Sequence, residues 1–358
     1  MSVFFSKRFE KLVPYVPGEQ PRGQEYIKLN TNESPFPPSR KVINALNCAE
    51  TSLLNRYSDP SAKALVDALT GYYGLPTGSV FVSNGSDESL AFIFDAFCDG
   101  KRGMVFPDIT YGFYPVFAAF FGLKYRTVPL DENYRISVND YKDISDNVII
   151  ANPNAQTGIY LEKSEIERLV SQRNDRLVII DEAYIDFGGE SAISLLPKYD
   201  NLIIVQTFSK SRNLAGARIG MAFASPEIIN DLNTLRNSFN PYNLDRLAII
   251  AGTEAVKDTE YFKKCTAEII SIRESTVKSL RALGFEILPS RANFIMAKCD
   301  RISGKELYLT LKERGILVRH FDDIRISDFV RVTIGGREQM DALVKECAKI
   351  IEERKKII

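Results

Sequence analysis

The sequence predicts an α/β protein of two lobes, the larger built on a mostly parallel central sheet, and three observations carry that prediction. Five short runs rich in Val and Ile recur between residues 80 and 205. The stretches between them are long enough for crossover helices, and a chain of 358 residues exceeds the usual length of one domain.

In chain order, residues 1–38 hold Pro14, Pro17, Gly18, Pro21, Pro35, Pro37 and Pro38 and read as an extended arm packing on the small lobe or on a partner subunit. The runs at 80–82, 104–106, 147–150, 177–180 and 202–205 are continuous rather than alternating. Strands buried on both faces look like this, so a large domain is expected over 39–245. Residues 244–283 are helical in period and free of Pro, enough for two helices bridging the lobes. Strand-like runs at 285–288, 293–296, 316–318 and 330–333, a helix at 304–314 and a terminal helix to Ile358 predict a smaller α/β domain at 246–358.

Composition narrows the chemistry. Lys+Arg 46 against Asp+Glu 46 cancels to a formal net charge of +0, so nothing electrostatic favours nucleic acid or an anionic membrane. The single histidine, His320, excludes any Ser-His-Asp or Cys-His mechanism not built on it and any metal site needing two imidazoles. Cys48, Cys98, Cys265, Cys299 and Cys347 are scattered and never spaced C-x-x-C, as expected of reduced thiols in the cytoplasm rather than a disulfide or zinc framework. Val3-Phe4-Phe5 runs straight into Lys7 and Arg8, so no signal peptide is expected, and no apolar run approaches the roughly 18 residues of a membrane span.

In an open α/β sheet, ligands sit beyond the carboxyl ends of the strands. After the run at 80–82 come Ser83-Asn84-Gly85-Ser86-Asp87-Glu88, which either present helix N–H groups to a phosphate or simply cap the helix at Ser86. After 177–180 come Asp181-Glu182-Ala183-Tyr184, where the aspartate either balances a buried cation or caps the next turn. After 202–205, Thr207 and Ser209 precede Lys210, with Arg218 eight positions later. Such a lysine forms a Schiff base if burial or a neighbouring cation discourages its ammonium form. Together with Tyr111, these residues could supply the four needs of pyridoxal 5'-phosphate: an amine, a carboxylate for the ring nitrogen, a phosphate cradle and an aromatic face.

Nine segments in order resemble one family. They are Leu29-Asn30-Thr31-Asn32-Glu33-Ser34-Pro35, Arg56-Tyr57-Ser58-Asp59-Pro60, Asn84-Gly85-Ser86-Asp87-Glu88, Asp108-Ile109-Thr110-Tyr111-Gly112-Phe113-Tyr114, Asn152-Pro153-Asn154-Ala155-Gln156-Thr157-Gly158, Asp181-Glu182-Ala183-Tyr184, Thr207-Phe208-Ser209-Lys210, Leu214-Ala215-Gly216-Ala217-Arg218 and Val330-Arg331-Val332-Thr333. The chain resembles the fold-type I, class I/II aminotransferases, and within them the histidinol-phosphate branch.

The resemblance implies a large domain carrying pyridoxal phosphate and a small C-terminal domain. It makes Lys210 the Schiff-base lysine and proton shuttle, Asp181 the partner of the pyridinium nitrogen and Tyr184 a donor to the ring 3'-oxygen. Ser86, the backbone of Asp87, Thr207, Ser209 and Arg218 match the phosphate cradle, and Tyr111 the stacking aromatic. Tyr57 matches a tyrosine reaching the neighbouring subunit's cofactor, which implies a homodimer with shared sites. Arg331 matches the arginine that holds the donor's carboxylate. Tyr15, Asn32 and Arg319 fall at substrate contacts, and Arg319 with Arg331 would receive a substrate phosphate.

One departure stands out: Ala155 occupies the place of an asparagine that bonds the 3'-oxygen, and Gln156 that of a proline. Either Asn154 takes the lost bond, which is preferred, or Tyr184 carries it alone. The implied activity is transamination between L-histidinol phosphate and 2-oxoglutarate, a small-molecule amino donor and a keto acid. An aromatic amino-acid aminotransferase, encouraged by 22 Phe and 16 Tyr, a threonine-phosphate decarboxylase and a regulatory domain that keeps the fold are the alternatives. Against the substrate role, Arg319 could instead pair with Asp322 or Asp323. His320 is expected to be structural.

Overall fold

The computed structural model describes residues 2, 4–20, 26–49 and 51–355. Val3 and Pro21 of the expected arm and residues 356–358 of the expected terminal helix lie outside them. The arm reaches β1 (Ile27–Lys28), and a large sheet follows from β2 (Val80–Asn84), β3 (Met104–Pro107), β4 (Tyr125–Val128), β5 (Asn147–Ala151), β6 (Val178–Asp181), β7 (Leu202–Thr207) and β8 (Ile219–Phe223). The small lobe adds β9 (Glu286–Ile287), β10 (Phe294–Lys298), β11 (Ile316–Leu317), β12 (Arg319–His320) and β13 (Val330–Thr333).

The large sheet runs β2-β8-β7-β6-β5-β3-β4, parallel throughout except that β8 opposes both of its neighbours. Its central strands are continuous Val/Ile runs because helices cover both faces, and every residue of β5 to β8 is buried. Two strands have no Val/Ile run to announce them. β4 is an edge strand with three exposed residues, and β8 holds Gly220 in its interior.

Direction matters for the site. Because β2 is antiparallel to β8 and β8 to β7, β2 runs with the parallel strands and ends at Asn84 on the same edge as Asp181 and Thr207. β8 begins on that edge, one residue after Arg218. In its register Gly220 lies opposite Ser83 on one side and Thr207 on the other.

The small lobe has an antiparallel sheet in the order β12-β13-β10-β9, and β1 of the arm pairs in parallel with β11. The helix Arg246–Lys257 was expected to begin the small domain. Instead its apolar face (Ala248, Ile249, Ala251, Ala255, Val256) joins the core beneath the helices Arg40–Asn47 and Lys63–Tyr73 of the large lobe. Burial of that face packs the helix with the large lobe. The helix Thr259–Ala282 then crosses over, and its buried Arg273 donates through Nη1 to the carbonyls of Phe187 (2.8 Å) and Ala292 (2.9 Å), one from each lobe. Among the described residues, no helix is long and apolar enough to cross a membrane.

Gly220 admits no side chain: a Cβ there would stand 2.2 Å from the Ser86 nitrogen and 2.3 Å from the Gly85 carbonyl carbon, both backbone atoms. Gly220→Ala should cost about 1–3 kcal/mol in denaturant unfolding, the usual range for forcing backbone apart. Gly71→Ala, where nothing lies within 4 Å of a Cβ, should leave stability unchanged or higher.

Candidate active site

The carboxyl edge of the large sheet opens into a cleft of about 900 Å³ that the small lobe closes. At its floor is an anion cradle. Gly85 turns the chain at φ 80 from β2 into the helix Ser86–Phe97, whose first N–H groups have no acceptor within the helix. A Cβ on Gly85 would lie 2.4 Å from Arg218 Nη2, so only glycine lets the guanidinium reach the turn. Arg218 itself adopts the left-handed conformation (φ 50), a strained state for a non-glycine that aims its side chain at the cradle. Its Nη1 donates to Ser209 Oγ (3.3 Å), which also accepts from Thr207 Oγ1 (3.0 Å). Its Nη2 meets the Asp87 carboxylate at 3.3 Å, and Tyr111 donates to the other oxygen at 2.8 Å.

Above the cradle lies Asp181, sealed from water. Its Oδ2 accepts from Tyr114 (2.8 Å) and its Oδ1 from the Ala183 N–H (3.2 Å). Burial raises its pKa to about 6 despite those two bonds, and it makes no ion pair among the described residues. Lys210 is half-buried on the cleft wall, with Nζ 3.3 Å from the Thr31 carbonyl and 5.9 Å from the Tyr184 ring centre. Burial first, and the Arg331 charge second, bring its pKa down to about 8. The Tyr184 hydroxyl accepts from Asn32 Nδ2 (3.0 Å), and Asn32 Oδ1 accepts from Thr333 of β13 (3.1 Å).

These residues fit pyridoxal phosphate. A buried carboxylate with no cationic partner suits a protonated ring nitrogen, and a cradle that glycine alone keeps open suits its phosphate. Among the described residues, no group of His, Cys, Asp and Glu could hold a metal ion.

At the mouth, Arg319 and Arg331 sit directly opposite each other on β12 and β13, and both line the cleft. Like charges so placed repel unless an anion lies between them. Arg331 Nη1 donates to the Ala155 carbonyl (2.8 Å) and to Gln156 Oε1 (3.4 Å), while its buried Nε has no hydrogen-bond partner among the described residues. The rings of Phe294 and Phe321 flank it at 5.1 and 5.2 Å. Arg319 donates to the Val16 carbonyl (3.4 Å) and lies over the Phe321 ring at 5.5 Å, and among the described residues the alternative pairing with Asp322 or Asp323 does not form. Tyr15 completes the mouth, its ring 4.9 Å from Phe113 and 6.4 Å from Tyr111.

Two expected residues lie elsewhere. Asn154 is held in its own loop: its Nδ2 donates to the Ile109 carbonyl (2.8 Å), and its Oδ1 accepts from the N–H groups of Gln156 (2.9 Å) and Thr157 (3.1 Å). Asn154 does not line the cleft; it lines a separate pocket beside Tyr160 and Arg291. Tyr57 is exposed and stacks on Tyr242 at 4.3 Å, outside the cleft of its own chain. His320 is structural, with Nε2 2.8 Å from the Ser327 carbonyl. Sequence reasoning missed Tyr114, although it stands three residues after Tyr111 at the start of the helix Tyr114–Phe121, one turn from a residue already singled out.

The family model for aminotransferase class I and II matches residues 24–346. A histidinol-phosphate aminotransferase of Clostridium beijerinckii is 45% identical over 356 residues, 99% of each chain. Another, from Pseudomonas fluorescens, is 46% identical over 344 residues, 96% of this chain and 98% of that one. A solved histidinol-phosphate aminotransferase of Sinorhizobium meliloti in complex with pyridoxal-5'-phosphate superposes with a TM-score of 0.88 over 99% of each chain. At 22% identity that likeness carries the fold alone.

Since only the neutral amine attacks an aldehyde, the rate at which cofactor-free protein captures pyridoxal phosphate should rise with pH and level off above about 8, the pKa of Lys210. Stopped-flow absorbance measures this. A rate still climbing past pH 10, as for an ordinary lysine of pKa about 10.4, would contradict the burial argument.

Proposed function

The chain belongs to the class I and II aminotransferases and depends on pyridoxal phosphate, and from that premise we propose that it moves an amino group between L-histidinol phosphate and 2-oxoglutarate. One observation carries the substrate choice: two guanidinium groups, Arg319 and Arg331, face each other across β12 and β13 in the cleft with no carboxylate partner among the described residues. One arginine suffices for a carboxylate, whereas a pair suits a dianionic phosphate, and histidinol phosphate carries a phosphate and no α-carboxylate.

Each wall of the cleft has a task in this reading. The N–H groups of Ser86 and Asp87, with Thr207, Ser209 and Arg218, would hold the cofactor phosphate. Asp181 would hold the proton on the ring nitrogen, Tyr184 would donate to the 3'-oxygen, and Tyr111 would cover the ring. When bound, the cofactor supplies an electron-withdrawing ring that makes loss of the substrate's Cα proton tolerable. Lys210, whose burial beside Arg331 brings its pKa down to about 8 and so eases loss of its own proton, would accept that proton in its neutral form and later return it. The Asn32 amide fixes the Tyr184 hydroxyl and so compensates in part for the asparagine lost at Ala155. The phenyl rings of Phe294 and Phe321 keep water from the Arg331 guanidinium, which strengthens its hold on an anion.

The reading includes a homodimer in the cytoplasm. Tyr57 lies exposed beside the exposed Tyr242, as a residue that reaches a partner's cofactor phosphate would, and the five cysteines are free thiols. Mixing Lys210→Ala with Tyr57→Phe subunits should then return part of the activity that each parent lacks. No recovery after verified subunit exchange would argue against a shared site.

The substrate is tested with a panel against 2-oxoglutarate. The unmutated protein should turn over histidinol phosphate faster than phenylalanine and release no carbon dioxide from threonine phosphate. Arg319→Leu should cost about 2 kcal/mol or more in kcat/KM for histidinol phosphate, the usual loss on removing a charged partner, and far less for phenylalanine. Faster turnover of phenylalanine by the unmutated protein would favour an aromatic aminotransferase. Borohydride reduction of the loaded protein should attach the cofactor to Lys210, read by peptide mass, and attachment to another lysine would overturn the assignment of that residue.

A further inference from the structure

The loop after β5 brings Ala155 and Gln156 to the cleft at the two positions where it departs from the asparagine and proline of the usual motif. A proline side chain neither donates nor accepts a hydrogen bond, so Gln156 adds a function that the usual residue lacks. Its Oε1 accepts from Arg331 Nη1 at 3.4 Å, and the same Nη1 donates to the Ala155 carbonyl at 2.8 Å. The contact orients the amide, because only its oxygen can face a guanidinium. The Nε2 group is therefore the free end, and it makes no hydrogen bond among the described residues. Gln156 stands on the large lobe, whereas Arg319 and Arg331 stand on the small one.

We propose that Gln156 is a specificity-determining residue for the anionic group of the amino substrate: its Oε1 orients Arg331 and its Nε2 donates to an anion oxygen from the other lobe. A carboxylate offers two oxygens and a phosphate monoester three terminal ones. Two arginines can satisfy a carboxylate unaided, and a third, neutral donor on the opposite lobe adds most to a tetrahedral anion. As a neutral group it adds this without the repulsion that a third cation would bring to the pair. The inference rests on the substrate reading above.

The test uses the holoenzyme and the variants Gln156→Ala, Gln156→Pro and Gln156→Glu, each first shown to retain the visible absorbance of bound cofactor. Two quantities are compared: kcat and KM for histidinol phosphate and for histidinol, and inhibition of the glutamate half-reaction by inorganic phosphate. Gln156→Ala and Gln156→Pro should raise the KM for histidinol phosphate and the inhibition constant of phosphate about tenfold to a hundredfold, the worth of one hydrogen bond to a charged group, with kcat within about twofold. Histidinol should be unaffected. Gln156→Glu, which sets a carboxylate beside the anion, should be worse than either. Equal effects on histidinol and its phosphate, or an unchanged phosphate inhibition constant, would overturn the proposal. If the unmutated protein ignored histidinol phosphate, the substrate reading would fall, while phosphate inhibition of the glutamate reaction would still decide the role of Gln156.

Discussion

Asp181 ends a strand whose every residue is buried, and its carboxylate meets two hydrogen-bond donors but no cation. Removing such a charge from water costs several kcal/mol unless an opposite charge joins it. The parallel strands set that position, since β5, β6 and β7 in register bring Ala151, Asp181 and Thr207 to one edge. Tyr114 and the Ala183 N–H hold the carboxylate in place, and the cradle around Gly85 and Arg218 lies on the same edge of the sheet. A flat cation anchored by a phosphate answers both needs at once.

The two lobes divide the electrostatics. The large lobe supplies the carboxylate, the cradle and the amine, and the small lobe supplies Arg319 and Arg331. Arg331 belongs to both accounts, because its charge also lowers the proton affinity of Lys210. In the proposed function, an anion seated on Arg331 would offset that charge and make Lys210 more basic as substrate arrives, when it would have to take a proton. The β1–β11 pair and the bonds linking Asn32 to Thr333 and Tyr184 tie the arm, the small lobe and the cleft into one wall.

The sequence displayed what lies at strand ends. Lys210, Asp181 and the Gly85 turn each follow a Val/Ile run, and a polar residue directly after a buried strand is visible without any structure. Features that depend on partners were hidden. β8 has no Val/Ile run because its glycine must admit the start of a helix from another strand, and β4 is half in water. The helix Arg246–Lys257 has an ordinary apolar stripe, and nothing in that stripe says which lobe it faces. Asn154 has the right chemistry for a ring-oxygen ligand, and only the path of its own loop shows that it does not line the cleft. Tyr114 reads as one more aromatic at a helix start until Asp181 is found 2.8 Å from its hydroxyl.

The central claim is that Asp181 holds the ring nitrogen of the cofactor protonated. The ¹⁵N resonance of nitrogen-labelled pyridoxal phosphate in the loaded protein tests it most directly. The account predicts the shift of a protonated pyridine at neutral and mildly alkaline pH, and its loss in Asp181→Ala. An unprotonated nitrogen in the unmutated protein, or one whose protonation ignored the substitution, would contradict it.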